Sequence, residues 1–331
     1  MSDSADRTWD GLEIAADHPT GVSVCVRRKD LRHGAAGACE VLLLHRAHHG
    51  PDYQGDWAWT SPAGCRLPGE PVYAAVRREL AEEAGVEGVA PWAVDLSGRW
   101  ATFALDLPTE APITLVDPEH DRFEWAPPDV LSSRVLPTQV AEQQTRAAAV
   151  PAVDLAFRPM EATDFGKVAQ WQSAPHVASW WDSRSRDEQS VRERYLPRLR
   201  GDEPTRMWVV EIDGAPAGFL QDYRVRDHPD YAVRTQDLDA IAFDYAIGEP
   251  GLIGRGLGTR LVWEFCRDVL RRDHPEAAHF LASPSHRNAA SLRVLAKCGF
   301  SQGRWIDDLG RPGEPPDTEI VCTFDVAHWL G

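Results

Sequence analysis

Lysine is nearly absent: of the 35 basic residues only Lys29, Lys167 and Lys297 are lysines. Arginine carries the rest of the positive charge, which we read as a trait of coding composition rather than of chemistry. The basic side is also outnumbered, 35 against 51 acidic residues, for a net charge of −16. Binding to a phosphate backbone needs clustered Lys and Arg, so a nucleic-acid partner is not expected. No run approaches the ~20 apolar residues of a membrane helix, so no membrane partner is expected either. The opening Met1-Ser2-Asp3-Ser4-Ala5-Asp6 lacks the basic and apolar regions of a secretory signal. The six cysteines form no C-x-x-C pair, which argues against a zinc ribbon or a dithiol redox centre. These absences together lead us to expect a cytoplasmic protein whose cysteines act as small apolar groups.

What is present is ordinary for a globular chain, with 43% apolar and 26% charged residues. A length of 331 residues exceeds one typical domain and points to two. The stretch Ala147-Ala148-Ala149-Val150-Pro151-Ala152-Val153 is small and uncharged, and its proline ends helical character. We place the boundary there, giving domains 1–150 and 151–331. Each half is acidic and neither contains an internal repeat.

In the first half, Gly21–Val26 and Val41–Arg46 read as strands, residues 72–84 as a helix, and Ser97–Asp106 and Arg122–Trp125 as further strands. A final helix is expected from about Pro137 to Ala149. The helix at 72–84 carries the strongest pattern in the chain. From Gly64, five residues lead to Glu70 and seven more to Arg78-Glu79-Leu80-Ala81-Glu82-Glu83-Ala84-Gly85-Val86. Glu79, Glu82 and Glu83 are spaced i, i+3 and i+4 and so share one helical face. Like charges so placed cost roughly 0.2–0.5 kcal/mol per pair unless something lies between them. A hard divalent cation reverses that sign, because Mg²⁺ prefers carboxylate and phosphate oxygens. Arg78 can pair with Glu82 one turn on, Glu70 can lie near the helix start, and Gly85 can end the helix in the left-handed conformation. A solvated Glu/Arg face is the ordinary reading of a charge run; the full spacing argues against it here.

The pattern G-x5-E-x7-R-E-U-x-E-E-x-G-U, with U apolar, resembles the signature of the Nudix hydrolases, and residues from about 10 to 150 are similar to that family in length and layout. The resemblance implies Mg²⁺ or Mn²⁺ held by Glu79, Glu82 and Glu83 with Glu70 assisting, and hydrolysis of a nucleoside-diphosphate-linked compound in which Arg78, Glu82 and Glu83 take part. Glu119 and Glu124 are candidates for the base, with a polar loop as the equal alternative. Trp57, Trp59 and Trp125 are either core or a stacking surface for a base.

In the second half, Asp239–Gly248 reads as a strand and leads into Gly251-Leu252-Ile253-Gly254-Arg255-Gly256-Leu257-Gly258-Thr259-Arg260, after which Leu261, Val262, Phe265, Val269 and Leu270 fall at helical spacing. Glycines at 254, 256 and 258 let the backbone come close to a pyrophosphate at a helix N-terminus, although a bare G-x-G-x-G by itself is weak. A strand at His279–Ser283 and a helix capped by Asn288 and ended by Gly299-Phe300 follow. Together these resemble the GNAT N-acetyltransferases over residues 155–330, and Pro175–Trp181, Tyr195–Pro197 and Phe219–Tyr223 extend the likeness to the aminoglycoside 6′-N-acetyltransferases. The resemblance implies acetyl-CoA bound by Gly254, Arg255, Gly256, Leu257, Gly258, Thr259 and Asn288, with Asp244 as the catalytic carboxylate and Asp237 as a second acidic position. The acidic run Asp222, Asp227, Asp230, Asp237, Asp239 and Asp244, with Trp180 and Trp181 as a wall, either lines a polycation pocket or is a solvated loop beside a buried Trp pair. Leu295 stands where the family often has a tyrosine acid, which leaves water or Tyr245 to protonate the thiolate. Ser283 stands where an aspartate can occur.

The fold expected is therefore α/β (α+β), a Nudix α/β/α sandwich followed by a GNAT mixed-sheet domain. The function expected is bifunctional, acting on small-molecule substrates: a nucleoside diphosphate derivative and an amine acceptor, possibly an aminoglycoside. The alternatives are a polyamine, a siderophore-type amine or a protein N-terminus as acceptor, with the Nudix half as a nucleotide-sensing module. The oligomeric state is left open.

Overall fold

The computed structural model describes residues 7–8, 11–29, 39–47, 50–181, 186–308 and 316–331. The chain divides into two compact units, Met1–Ala152 with Ala327–Gly331, and Val153–Val326.

The first unit is built on a seven-stranded mixed sheet. Its strands are β1 (Gly21–Lys29), β2 (Cys39–Arg46), β3 (Trp59–Thr60), β4 (Ala63–Cys65), β5 (Trp92–Asp95), β6 (Trp100–Leu107) and β7 (His120–Ala126). The order is β3-β2-β1-β6-β5, with β4 on β1 and β7 on β2. Only β1 and β6 run parallel. Val22, Val24, Cys25 and Val26 of β1 are all fully buried, because a helix covers each face of this central strand. Helix α1 (Val72–Ala84) lies against β1 and β4 on one face, and helix α2 (Thr138–Ala148) against β1 and β6 on the other.

Helix α1 follows Pro71 and stops at Gly85, whose φ of 65° is left-handed. The Gly85 and Val86 amides donate to the carbonyls of Ala81 and Leu80, each at 3.1 Å. This double closure satisfies carbonyls that the helix end would otherwise leave unpaired. Val72, Ala75, Val76, Glu79, Leu80, Glu83 and Ala84 form its buried stripe, so two glutamates sit on the face that packs against the sheet.

The second unit is a seven-stranded sheet in the order β13-β14-β12-β11-β10-β9-β8. These are β8 (Leu155–Pro159), β9 (Arg206–Ile212), β10 (Ala215–Arg224), β11 (Ile241–Ile247), β12 (His279–Ala282), β13 (Ser301–Asp308) and β14 (Asp317–Asp325). The pairs are antiparallel except β11 with β12, which match only at Ile241–Phe280 and Ala242–Leu281. From Phe243 onward β11 leaves its neighbour, so one edge of a central strand opens in mid-sheet. Helices α3 (Phe165–Ser173), α4 (Glu188–Arg200), α5 (Pro229–Thr235), α6 (Leu257–Glu264) and α7 (Ala289–Lys297) complete the unit, with a π-helical turn, Phe265–Leu270, continuing α6.

The faces of this sheet are chemically distinct. Asp222 of β10 is 1% exposed. It accepts from Trp208 Nε1 at 2.6 Å and from Arg206 Nε and Nη2 at 3.0 and 2.8 Å. His274 lies 3.4 Å away. This buried carboxylate is a structural tie between β9, β10 and the end of the α6 extension. Replacing Asp222 by Ala leaves Trp208 Nε1 without its acceptor and Arg206 with Asp273 as its remaining carboxylate, and we expect a loss of about 1–3 kcal/mol in unfolding free energy. A urea midpoint that stays at the wild-type value would contradict this role.

Candidate functional sites

In the first unit, Gly64 on β4 faces Glu79. A Cβ added to Gly64 would sit 2.1 Å from Glu79 Oε1 and 2.3 Å from Oε2. Only glycine leaves room for this carboxylate against the strand. Arg78 then organises the rest. Its Nε and Nη2 donate to Glu70 Oε1 and Oε2 at 2.9 and 3.0 Å. Its Nη1 donates to Glu79 Oε1 at 2.8 Å and Glu82 Oε2 at 2.9 Å. Glu70 Oε2 also accepts from the Leu67 amide at 2.9 Å, which closes the turn before the helix. Glu83 is held separately, accepting from the Ala63 amide at 2.9 Å.

Burial sets the electrostatics of the pair. It lifts the Glu79 carboxyl to about 7 in spite of Arg78 beside it, with Glu82 and Glu70 adding to the rise. It pushes Glu83 well above the carboxylate range, and the charge on Glu79 pushes further. Glu82 is half exposed. Two desolvated carboxylates that repel each other form a donor set whose chemistry fits a hard divalent cation. Among the described residues no group of three or more His, Cys, Asp or Glu is already gathered around an ion-sized space. Arg78 is bonded to three of the four glutamates, so binding an ion requires Glu82 and Glu79 to exchange their bonds to the guanidinium.

The two base candidates lie apart from each other. Glu119 pairs with Arg46 at 2.9 Å and its charge is felt at Glu83, whereas Glu124 pairs with Arg134 at 2.7 Å on the opposite face of the sheet. Trp59 is buried, donating to Gln54 Oε1 at 3.0 Å with Arg134 over its ring at 4.6 Å. His120 was not singled out by spacing. It is 4% exposed, neither ring nitrogen has a hydrogen-bond partner, and its Nδ1 stands 3.9 Å from Glu83 Oε1. Burial lowers its pKa to about 4, so the ring is neutral.

In the second unit, Asp244 lies on β11 directly opposite Gln221 of β10. Gln221 Nε2 donates to Asp244 Oδ2 at 2.7 Å, and Arg198 Nη1 donates to Gln221 Oε1 at 2.5 Å. Burial raises the Asp244 carboxyl above its ordinary range, against the lowering by Gln221. Tyr223, two residues from Gln221 on the same face, and Tyr231 of α5 both have hydroxyls pushed up by burial and, next, by the Asp244 charge. Tyr231 shares a 2.6 Å hydrogen bond with Ser283, and Glu319 also lies within electrostatic reach of both tyrosines. Asp244, Tyr223, Tyr231, Ser283 and Glu319 thus gather at one place.

The rest of the acidic run does not join them. Asp222 faces the other side of the sheet, Asp237 is paired with His279 Nδ1 at 2.7 Å, and Asp239 with Arg226. Asp227 and Asp230 are solvent-exposed. Trp180 is 46% exposed. Trp181 donates to the Tyr195 hydroxyl at 3.0 Å and stands edge-on to Phe219 at 4.5 Å.

The glycine turn precedes α6. Gly254 and Gly256 have φ of 75° and 84°, and Gly256 is the residue immediately before the helix. A Cβ at Gly254 would meet nothing within 4 Å, while one at Gly258 would press Val294 at 3.2 Å. Arg255 is exposed beside them. The amides of Leu257, Gly258 and Thr259 belong to the first turn, which lacks intrahelical acceptors and suits an anion. Asn288 caps α7, accepting from the Ser291 amide at 3.0 Å. Tyr245 is bonded to Ser291 Oγ at 2.8 Å, and Leu295 is fully buried. The opened edge of β11 lies between this turn and Asp244, and its unpaired peptide groups suit an extended, amide-bearing chain.

A test of the packing in the first site is Gly64→Ala, which should lower the unfolding free energy by about 1–3 kcal/mol through overpacking against Glu79. An unchanged denaturation midpoint would mean that Glu79 is not held against β4.

Comparison with known proteins separates the same two parts. A NUDIX domain model matches residues 17–149, and a model described as an acetyltransferase (GNAT) domain matches residues 161–308. Residues of this chain are 26% identical over 149 positions to an aminoglycoside N(6′)-acetyltransferase type 1 of Klebsiella pneumoniae, covering 44% of this chain and 73% of that protein. The same figures hold for the protein of that name from Serratia marcescens. Among solved structures, an aminoglycoside acetyltransferase in complex with coenzyme A matches with a TM-score of 0.44 at 24% identity, covering 51% of this chain and 94% of that one. A putative acetyltransferase from Salmonella typhimurium with acetyl-CoA matches at 0.40 and 18% identity, covering 54% and 96%. Among the described residues no helix is long and apolar enough to cross a membrane. The chain is a fusion of a NUDIX domain with a GNAT acetyltransferase domain.

Proposed function

We propose that the second domain transfers an acetyl group from acetyl-CoA to an amine of a cationic small molecule of aminoglycoside type, at its 6′-amine. The observation that carries this reading is the Asp244 carboxylate, fixed by Gln221 beside the opened edge of β11. When bound, acetyl-CoA would supply the activated acetyl group; the amides that follow Gly256 would hold its diphosphate and β11 its extended arm. Asp244 attracts the acceptor ammonium, takes its proton and leaves the lone pair free to attack. Tyr223 and Tyr231 give the acceptor a flat, hydroxyl-bearing wall, and Glu319 adds a second negative charge. Tyr245 of β11, anchored to Ser291 of α7, would serve as acid toward the departing thiolate in place of Leu295. The named relatives in Klebsiella and Serratia support the aminoglycoside class. A smaller amine is the second reading, favoured by the pairing of Asp237 with His279 and by Ser283 being engaged by the Tyr231 hydroxyl.

The first domain, in this proposal, hydrolyses a nucleoside-diphosphate-linked compound. Glu79, Glu83 and Glu82 would hold Mg²⁺ or Mn²⁺, with Glu70 keeping Arg78 in place. When bound, the ion supplies activation of water and neutralises diphosphate charge.

Four outcomes test these assignments. Thiol release from acetyl-CoA should occur with aminoglycosides bearing a 6′-amine and vanish with a 6′-hydroxyl analogue; silence across the panel alongside calorimetric acetyl-CoA binding would reject the acceptor while keeping the cofactor. Asp244→Asn should slow turnover by about 10²-fold or more without weakening acetyl-CoA binding. Because Asp244 serves only when ionised and burial raises its pKa, wild-type activity should fall as pH drops through that raised value, an acid limb that the Asn variant lacks. Glu83→Gln should abolish metal-dependent formation of nucleoside monophosphate from the diphosphate compound and leave acetylation unchanged, and retained hydrolysis would remove Glu83 from the metal set.

A further inference from the structure

Strand β7 contains a register shift opposite the end of β2. His45 is opposite Arg122, but Arg46 is opposite His120, so one extra residue is accommodated on β7. In a regular strand, residues three apart point to opposite faces. The bulge changes that parity. Leu44 is opposite Phe123 and Leu42 opposite Trp125, so Phe123 and Trp125 share a face with Arg46 and His120.

That face is the one covered by α1. Arg27 of β1, whose Nη1 donates to Ala147 and Val150 carbonyls, and its partner Val41 look toward α2. Val22 and its partner Gly64 look toward Glu79, and the alternation carries Leu42, Leu44 and Arg46 to the same side. One strip therefore runs from Glu83 past His120 to Phe123 and Trp125. Their partners Arg46 and Leu44 are two residues apart, so at about 3.3 Å per residue Phe123 stands roughly 7 Å along the strand from His120.

The members of the strip are differently occupied. Trp125 is already covered by the Arg28 guanidinium, 4.2 Å from its ring centroid. Phe123 is 39% exposed, large and apolar, on a strand whose neighbour Leu44 is fully buried. His120 is buried with both nitrogens unpartnered, a costly arrangement for a polar ring and one that points to a ligand. An imidazole N–H suits a diphosphate oxygen; an open phenyl ring suits a planar partner.

We propose that His120 and Phe123 form the substrate strip of the NUDIX domain, His120 donating to the diphosphate and Phe123 stacking on a planar nucleobase at its far end. This rests on the hydrolase reading above and deepens it: the compound cleaved carries an aromatic base, and its base lies along β7 rather than over Trp57 or Trp59. Trp57, whose amide donates to the Leu136 carbonyl at 2.8 Å, belongs to the surroundings of α2.

The test uses the full chain and titration calorimetry with the α,β-methylene analogues of ADP, GDP, CDP and UDP, and with base-free methylenediphosphonate, in EDTA and in Mg²⁺. At least one nucleotide should bind more tightly than methylenediphosphonate. Phe123→Ala should raise the Kd of that nucleotide about tenfold and leave methylenediphosphonate unchanged. His120→Gln should weaken nucleotide and methylenediphosphonate by similar factors. Equal affinity of wild type for base-bearing and base-free probes overturns the proposal, and needs no variant to fold. So does a Phe123→Ala Kd within twofold of wild type for every nucleotide. If Mg²⁺-dependent hydrolysis of a diphosphate ester persists in either of those cases, the strip is wrong and the hydrolase reading stands. If the wild type neither binds nor cleaves any diphosphate, the hydrolase reading itself is lost.

Discussion

Side chains on a strand alternate between its two faces, and both sites in this chain depend on that alternation being kept or deliberately broken. On β4 it aims the missing side chain of Gly64 at Glu79, so a buried carboxylate can lie flat against the sheet. On β10 it separates Gln221, which holds Asp244, from Asp222, which is locked into the opposite face by Arg206 and Trp208. The period of two thus sorts neighbouring polar residues into chemistry and scaffold without any change in residue type.

The buried stripe of α1 shows the same economy on a helix. Five small or apolar residues hold the helix on the sheet, and the remaining places on the stripe go to Glu79 and Glu83. A helix that buries two acids must be held by something else, and here the turn at Gly85 and the Arg78 bonds to Glu70, Glu79 and Glu82 do so. Desolvation raises the proton affinity of both acids, for Glu79 in spite of the Arg78 guanidinium beside it.

Much of this was legible in the amino-acid order. The helix at 72–84, its glycine stop, the strand before the glycine turn and the cap at Asn288 all follow from local rules, and they occur where the spacing puts them. The short strands β3, β4 and β5 were not legible, because two to four residues carry no period of their own. The acidic run from Asp222 to Asp244 was legible as a run but not as a geometry. Proximity along the chain said nothing of the register that turns Asp222 inward, nor of His279 and Arg226, which draw Asp237 and Asp239 away. His120 was hidden for a related reason: its meaning depends on a bulge, and a bulge is a property of two strands rather than of one.

That bulge bears on how such a domain changes over evolutionary time. Losing the one surplus residue of β7 would leave Phe123 and His120 on their common face, because their partners Leu44 and Arg46 already stand two places apart on β2. A single-codon deletion at the bulge is therefore a small step in geometry; flattening the strand with the surplus residue kept would be the large one, because it would present a guanidinium where a phenyl ring stood. A strand of this kind can gain or lose a residue at its bulge while the side chains on either side of it keep the faces they serve.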